Sequence, residues 1–206
     1  MNRKETYGML GQYQQLAKEV GLTTTAVVDL STQFFRQGKT AEEAMELTET
    51  AARLARIANI EATDAADYLT SALNGFNMAA SEAVSITDKL ANLSARSASS
   101  VEELATALQK VAPIAKTAGT DLDNILGFMA KGIETTREAP ENIGTAFKTI
   151  FARMAELKDL GKTTEDGMDL SRVDKALKDV GVTLVDTVNG GFRPLDDVLI
   201  DLGMRW

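Results

Sequence analysis

Apolar residues recur along most of the chain at steps of three and four, the spacing that lines one face of an α-helix. Met9, Tyr13, Leu16 and Val20 form a first stripe, broken at Gly21. Val27, Leu30 and Phe34 form a second, with Thr23 placed to cap it. Thr40-Ala41-Glu42-Glu43 reads as a capping box, followed by Leu47, Ala51, Leu54 and Ala58. Ala66, Leu69, Leu73 and Phe76 make the next stripe, closing near Gly75 and Asn77. Ala83, Ile86, Leu90, Leu93 and Ser97 follow it. Ser100-Val101-Glu102-Glu103 is a second capping box, and Val101, Leu104, Leu108, Val111 and Ala115 keep the spacing behind it. Pro113 predicts a kink or local break near residues 109–113, and Gly119 an end. Leu122, Ile125, Met129 and Ile133 mark another helix. Pro140 suits a first helical turn, and Ile143, Phe147, Ile150, Met154 and Leu157 form its stripe.

The pattern changes after Gly161. Residues 162–167 are polar and read as a loop, and a short helix is predicted over about 171–180, ending at Gly181. Val182-Thr183-Leu184-Val185 alternates like a strand, Asn189-Gly190-Gly191 is a turn signal, and Phe192-Arg193 reads as the returning strand. A last helix begins at Pro194-Leu195. These readings predict an all-α, multi-helix bundle of eight or nine helices before Gly161, with one small β-hairpin near residues 182–193. They divide the chain into an N-terminal helical hairpin (1–38), a helical core (39–160) and a terminal stretch of loop, short helix, hairpin and final helix (161–206). Leu69, Leu73, Leu90, Leu104, Leu108 and Phe147 are the expected core.

Composition narrows the chemistry. The chain has 206 residues, 44% of them hydrophobic and 25% charged, as a globular protein with a real core requires. Its formal charge of −8 argues against a phosphate-binding surface and so against specific nucleic-acid binding. Having no cysteine and no histidine, it lacks the residues for disulfides, Cys/His zinc sites, thiol nucleophiles and His-dependent triads. The start is basic but has no apolar stretch behind it, unlike a secretory signal. The longest uncharged run, between Asp67 and Glu82, falls short of the roughly 20 apolar residues of a membrane span. The abrupt stop at Trp206 reads as the edge of a longer protein.

Few residues remain as candidates for a site. Asp186-Thr187-Val188-Asn189-Gly190 loosely resembles part of a calcium loop but lacks its alternating oxygen ligands, and a polar hairpin turn accounts for it better. The acidic pairs Glu42/Glu43, Glu102/Glu103 and Asp196/Asp197 all fall in predicted first helical turns, where the helix dipole favours them without catalysis. Lys148, Arg153, Lys158 and Lys162 interleave with Glu156 and Asp159 as a solvated mixed face. Met78, Met129 and Met154 fit irregular core positions. No glycine pattern cradles a phosphate. The expectation is a segment that binds no metal, nucleotide or other cofactor and is not an enzyme.

Four stretches carry a resemblance. They are residues 60–76, opening Ile60-Glu61-Ala62-Thr63 and closing Asn74-Gly75-Phe76; residues 100–113, with Leu104, Leu108, Val111 and Pro113; and Glu138-Ala139-Pro140-Glu141-Asn142 running into Phe147 and Arg153. The fourth runs from Gly181-Val182 through Phe192-Arg193-Pro194-Leu195 to Trp206. In this order and spacing, residues about 40 to 206 resemble the central region of phage tail tape measure proteins. The resemblance implies a structural protein of a phage or prophage that templates tail length, occupies the tail tube and leaves ahead of the DNA. It implies the tail tube, tail-tip and tail-assembly chaperone proteins as partners, with self-association in the tail. The implied location is the virion tail, with the host cytoplasm during assembly. Two other readings stand beside it. One is a helical scaffold or chaperone-like module that binds partner helices in an apolar groove. The other is a lytic module using carboxylates alone, which would need two buried, convergent carboxylates with raised pKa values.

Overall fold

The computed structural model describes residues 3–115, 117, 119–156, 170–184 and 193–205. Eight α-helices precede the first long undescribed stretch: α1 (Arg3–Val20), α2 (Thr24–Arg36), α3 (Ala41–Ala58), α4 (Ala62–Phe76), α5 (Ala83–Ser94), α6 (Val101–Ala115), α7 (Leu122–Thr136) and α8 (Pro140–Glu156). A 3₁₀ turn at Ala80–Glu82 leads into α5. Two further helices, α9 (Leu170–Asp179) and α10 (Leu195–Arg205), lie near the end. The described structure is all-α.

Local chemistry sets the boundaries. Thr23 Oγ1 accepts from Ala26 N–H at 3.1 Å and starts α2. Thr40 and Glu43 close a complete capping box on α3, with Thr40 N–H donating to Glu43 Oε2 at 2.9 Å and Glu43 N–H to Thr40 Oγ1 at 3.3 Å. Ser100 and Glu103 do the same for α6, at 2.7 and 3.0 Å. Asp121 caps α7, its Oδ1 accepting from Asn124 N–H at 2.8 Å. The turn after α6 passes through Gly119 at φ +78, and Thr120 N–H returns to the Ala115 carbonyl at 3.1 Å, as in a glycine-ended helix.

α6 is the axis of the bundle, packed between α4 and α8. Leu104, Leu108 and Val111 on it are buried, as are Leu69 and Leu73 on α4 and Leu90 on α5. Each such side chain contributes about 1.5–3 kcal/mol by leaving water. One continuous core takes in Tyr13 and Leu16 of α1 at one end and Leu195 and Val198 at the other.

α4 ends at Phe76 with Asn77 as its left-handed cap at φ 54, so its stripe closes where the spacing predicts. Gly75, in its last turn, faces α6, where an added Cβ would lie 2.7 Å from Ala112 Cβ. Two expectations need correction. α6 is one helix through Pro113 as far as Ala115, so no local break falls at 109–113; the missing proline N–H takes away only the helical partner of the Gln109 carbonyl. On α8 the stripe is rotated. Ile150 is 38% exposed, Phe147 is only half-buried, and Phe151, absent from the expected stripe, is fully buried. Gly144 explains the rotation by bringing the backbone onto α6, so that residues 143, 144, 147 and 151 share the inner face.

The hairpin near 182–193 falls mostly on residues 185–192, outside those described, together with the Asp186–Gly190 turn. Among the described residues there is no strand, and one backbone bond joins the two arms, from Arg193 N–H to the Leu184 carbonyl at 3.0 Å.

Candidate functional site

The acidic pairs sit where helix dipoles place them. Glu42 and Glu43 open α3, Glu102 and Glu103 open α6, and Asp196 and Asp197 open α10. The bond donated by Thr40 N–H, reinforced by the one to the Thr40 hydroxyl, holds the Glu43 carboxyl below its ordinary range, with Lys39 adding a smaller pull. A general acid needs the opposite shift.

Glu102 also borders an open hollow of about 560 Å³ beside the α3–α4 turn. Arg56, Asn59, Glu61 and Asp64 share its wall with Leu22 and Ile60. Glu61, Asp64 and Glu102 are all exposed. Asp196 differs from them in being 5% exposed. Its Oδ2 accepts from Asn124 Nδ2 at 2.8 Å, and the same amide donates to Asp121 Oδ2 at 3.0 Å. The first turns of α7 and α10 thus meet at one asparagine. Sequence reasoning placed Asp196 at a helix start but missed its burial and its partner, 72 residues away.

The other expected residues serve packing and boundaries. Pro140 is the first residue of α8, and Pro194 supplies the carbonyl that receives Val198 N–H at 3.3 Å. Phe147 stacks on Phe128, ring centroids 6.1 Å apart. Lys148 is exposed; the Arg153 and Met154 side chains, and Leu157, Lys158 and Lys162, lie outside the described residues. Among the described residues no group of three or more acidic side chains is placed to hold a metal ion, and no helix is long and apolar enough to cross a membrane.

An apolar groove runs between α1 and α2. Met9, Leu10, Tyr13, Val28 and Phe35 line about 230 Å³ of it, over a buried hydrogen bond of 2.5 Å between the Tyr13 and Ser31 hydroxyls. Leu10 is 39% exposed at its rim.

A bundle of capped helices, with its acidic pairs at residues 42/43, 102/103 and 196/197 in first helical turns and an apolar groove on its first hairpin, has the features of an interaction or structural module. The family model for the phage-related minor tail protein matches residues 11–206, and the chain belongs to that family. This makes it a phage tail protein with a structural role among tail partners in the virion tail. No solved structure matches it.

Proposed function

We propose that the chain is a non-catalytic segment of a phage or prophage tail tape measure protein, contributing to tail assembly, tail length and genome delivery. The observation that carries this reading is the family match over residues 11–206, which takes in all four stretches that resemble tape measure proteins. The fold is consistent with it: the acidic pairs are spent on helix starts, and Glu61, Asp64 and Glu102 are left in water. In this role the segment is a folded bead within a longer ruler and meets tube, tip and chaperone proteins through its surface.

The test is genetic. In the phage or prophage that encodes the chain, an in-frame duplication of a helical stretch elsewhere in the same gene lengthens the tail in electron micrographs. Tails of unchanged length from fully assembled particles overturn the ruler role. The α1–α2 groove favours a second reading, a helix-binding assembly module. Under that reading, Leu10→Glu blocks tail formation while the purified chain stays folded.

A further inference from the structure

α1 packs against α2 and also touches α3, and the seam it leaves with α3 is open. Two hollows of about 570 and 290 Å³ lie along that seam. Gln12, Met45 and Glu49 line both, so the two form one continuous groove. Met9, Gln12, Leu16 and Glu19 border it from α1 at steps of three, four and three, and residues 42, 45, 46 and 49 border it from α3. Helical spacing on both walls makes it a trough between two helices. From residue 9 to residue 19 the wall runs about 15 Å at 1.5 Å per residue, the length of about three turns of another helix.

The groove has an apolar floor and an acidic rim. Leu16 is buried, and Met9 and Met45 are half-buried. The charged residues lining the two hollows are all glutamates: Glu19, Glu42, Glu46 and Glu49. Glu49 pairs with Arg53 at 2.7 Å, and Glu19 accepts from Gln15 Nε2 at 2.9 Å. Both glutamates are exposed, and ion pairs in water are weak enough to exchange for another cation. The other hollows lack this combination. Arg56 shares the wall of the α3–α4 hollow with its carboxylates, and the lining of the α1–α2 groove is uncharged.

We propose that the α1–α3 groove docks a basic amphipathic helix of a partner protein. Its apolar stripe lies on Met9, Leu16 and Met45, and its lysines or arginines meet the glutamate rim. Helices bind in such troughs through side chains at i, i+3 or i+4, and i+7. Methionines suit the floor, because an unbranched, polarizable side chain repacks around whatever enters. Charge complementarity fixes the sign of the partner: an acidic helix would set its carboxylates against four others, whereas a basic one is drawn in by a chain of formal charge −8. The inference does not rest on the tape measure reading. It also concerns a different groove from the one between α1 and α2, although Met9 borders both.

Titration of the full chain with three synthetic peptides tests it, each about 14 residues long to match the groove. One is an amphipathic helix of leucine and lysine with a single leucine stripe. The second has the same composition with the stripe scrambled, and the third carries glutamate in place of every lysine. In heteronuclear NMR the striped basic peptide binds and shifts amides of residues 9–19 and 42–49, and the other two bind at least about tenfold more weakly. Glu19→Lys with Glu46→Lys, one change on each wall, weakens the striped peptide by about tenfold or more. Glu134→Lys with Glu138→Lys, an equal change of charge at the end of α7, moves its affinity by less than about twofold. If the groove pair prevents folding, Glu19→Gln with Glu46→Gln takes its place and weakens binding by about threefold. The proposal is overturned if the striped peptide does not bind, if the scrambled or acidic peptide binds equally well, or if the α7 pair weakens binding as much as the groove pair. Shifts centred away from the two walls overturn it as well. So does a dimer of the peptide-free chain that the groove pair dissolves, since that gives the groove to a second copy.

Discussion

Gly144 of α8 rests directly on the Ala107 carbonyl of α6. A methyl group at Gly144 would overlap that oxygen and come within 2.9 Å of Lys110 Cβ. Gly75 of α4 has the same relation to Ala112 on another face of α6. The central helix is thus gripped by two backbones rather than two layers of large side chains. Its alanines at 105, 107, 112 and 115 are buried accordingly.

Glycine substitutions therefore have opposite signs in different places. In an open helix interior, Gly→Ala stabilises by about 0.5–1 kcal/mol. Gly127 on α7 and Gly11 on α1 have nothing within 4 Å of an added Cβ, so alanine at either raises the melting temperature. At Gly144 and Gly75 the new methyl meets backbone that cannot step aside, and alanine costs about 1–3 kcal/mol. Thermal denaturation of the four variants checks the split. Stabilisation by Gly144→Ala would show that α6 and α8 do not touch as described.

Core truncations grade the stripes. Leu108 is 2% exposed in the middle of α6, and Leu108→Ala costs about 2–5 kcal/mol. On α8, Phe151→Ala costs about 3–5 kcal/mol, whereas Ile150→Ala, at a position 38% exposed, costs well under half as much. Urea unfolding measures all three. Equal losses at 150 and 151 would return α8 to the orientation that its sequence stripe predicted.

The α8 case shows what can be read from sequence. Thr40 with Glu43, and Ser100 with Glu103, act within one helical turn, so residue type and spacing contain the whole interaction. The same holds for the stripe of Leu104, Leu108 and Val111, where three successive positions point one way. Residues 147, 150 and 151 leave two faces nearly equal in hydrophobicity, and the choice between them comes from Gly144 meeting a helix that starts forty residues earlier. Gly75 carries the same ambiguity, since a glycine that ends a helix and one that admits a neighbour look alike in a string of letters. Asn124 with Asp196 is out of reach for the same reason. The tail family was legible because four stretches keep their order over most of the chain, which no single helix could show.

The capping box on α3 makes a pH-dependent prediction. The folded Glu43 carboxyl titrates below its ordinary value of 4.5, so its contribution is complete above that value and is lost as pH falls through the lowered one. Glu43→Gln is less stable than the unaltered chain at neutral pH, and the gap closes as the solution is brought toward pH 3. Thr40→Ala costs about 0.5–2 kcal/mol at neutral pH by removing the acceptor for the Glu43 amide. Melting curves from pH 3 to 7 follow both. A gap for Glu43→Gln that widened with acid would reverse the sign and remove the capping role of the charge.

The last prediction rests on the proposed ruler role and concerns what a folded bead would do in it. Drawn out as one helix, 206 residues would span about 310 Å at 1.5 Å per residue. The bundle forgoes that reach: α4 and α8 both lie against α6, with turns at Asn59, Asn77 and Gly119 in left-handed conformations. A compact chain of this length has a radius of gyration of about 17 Å. Inside a tail of fixed bore, such a segment contributes little length while folded and far more when drawn out. Many of its buried contacts are alanines, among them Ala51, Ala66 and Ala115, which release less energy on burial than larger side chains and so oppose extension less. Small-angle scattering on the isolated chain is expected to give the compact value. A maximum dimension beyond about 100 Å in a monomer would mean that the helices stand end to end in solution. Every residue would then add to the ruler directly, and no unfolding step would separate assembly from length.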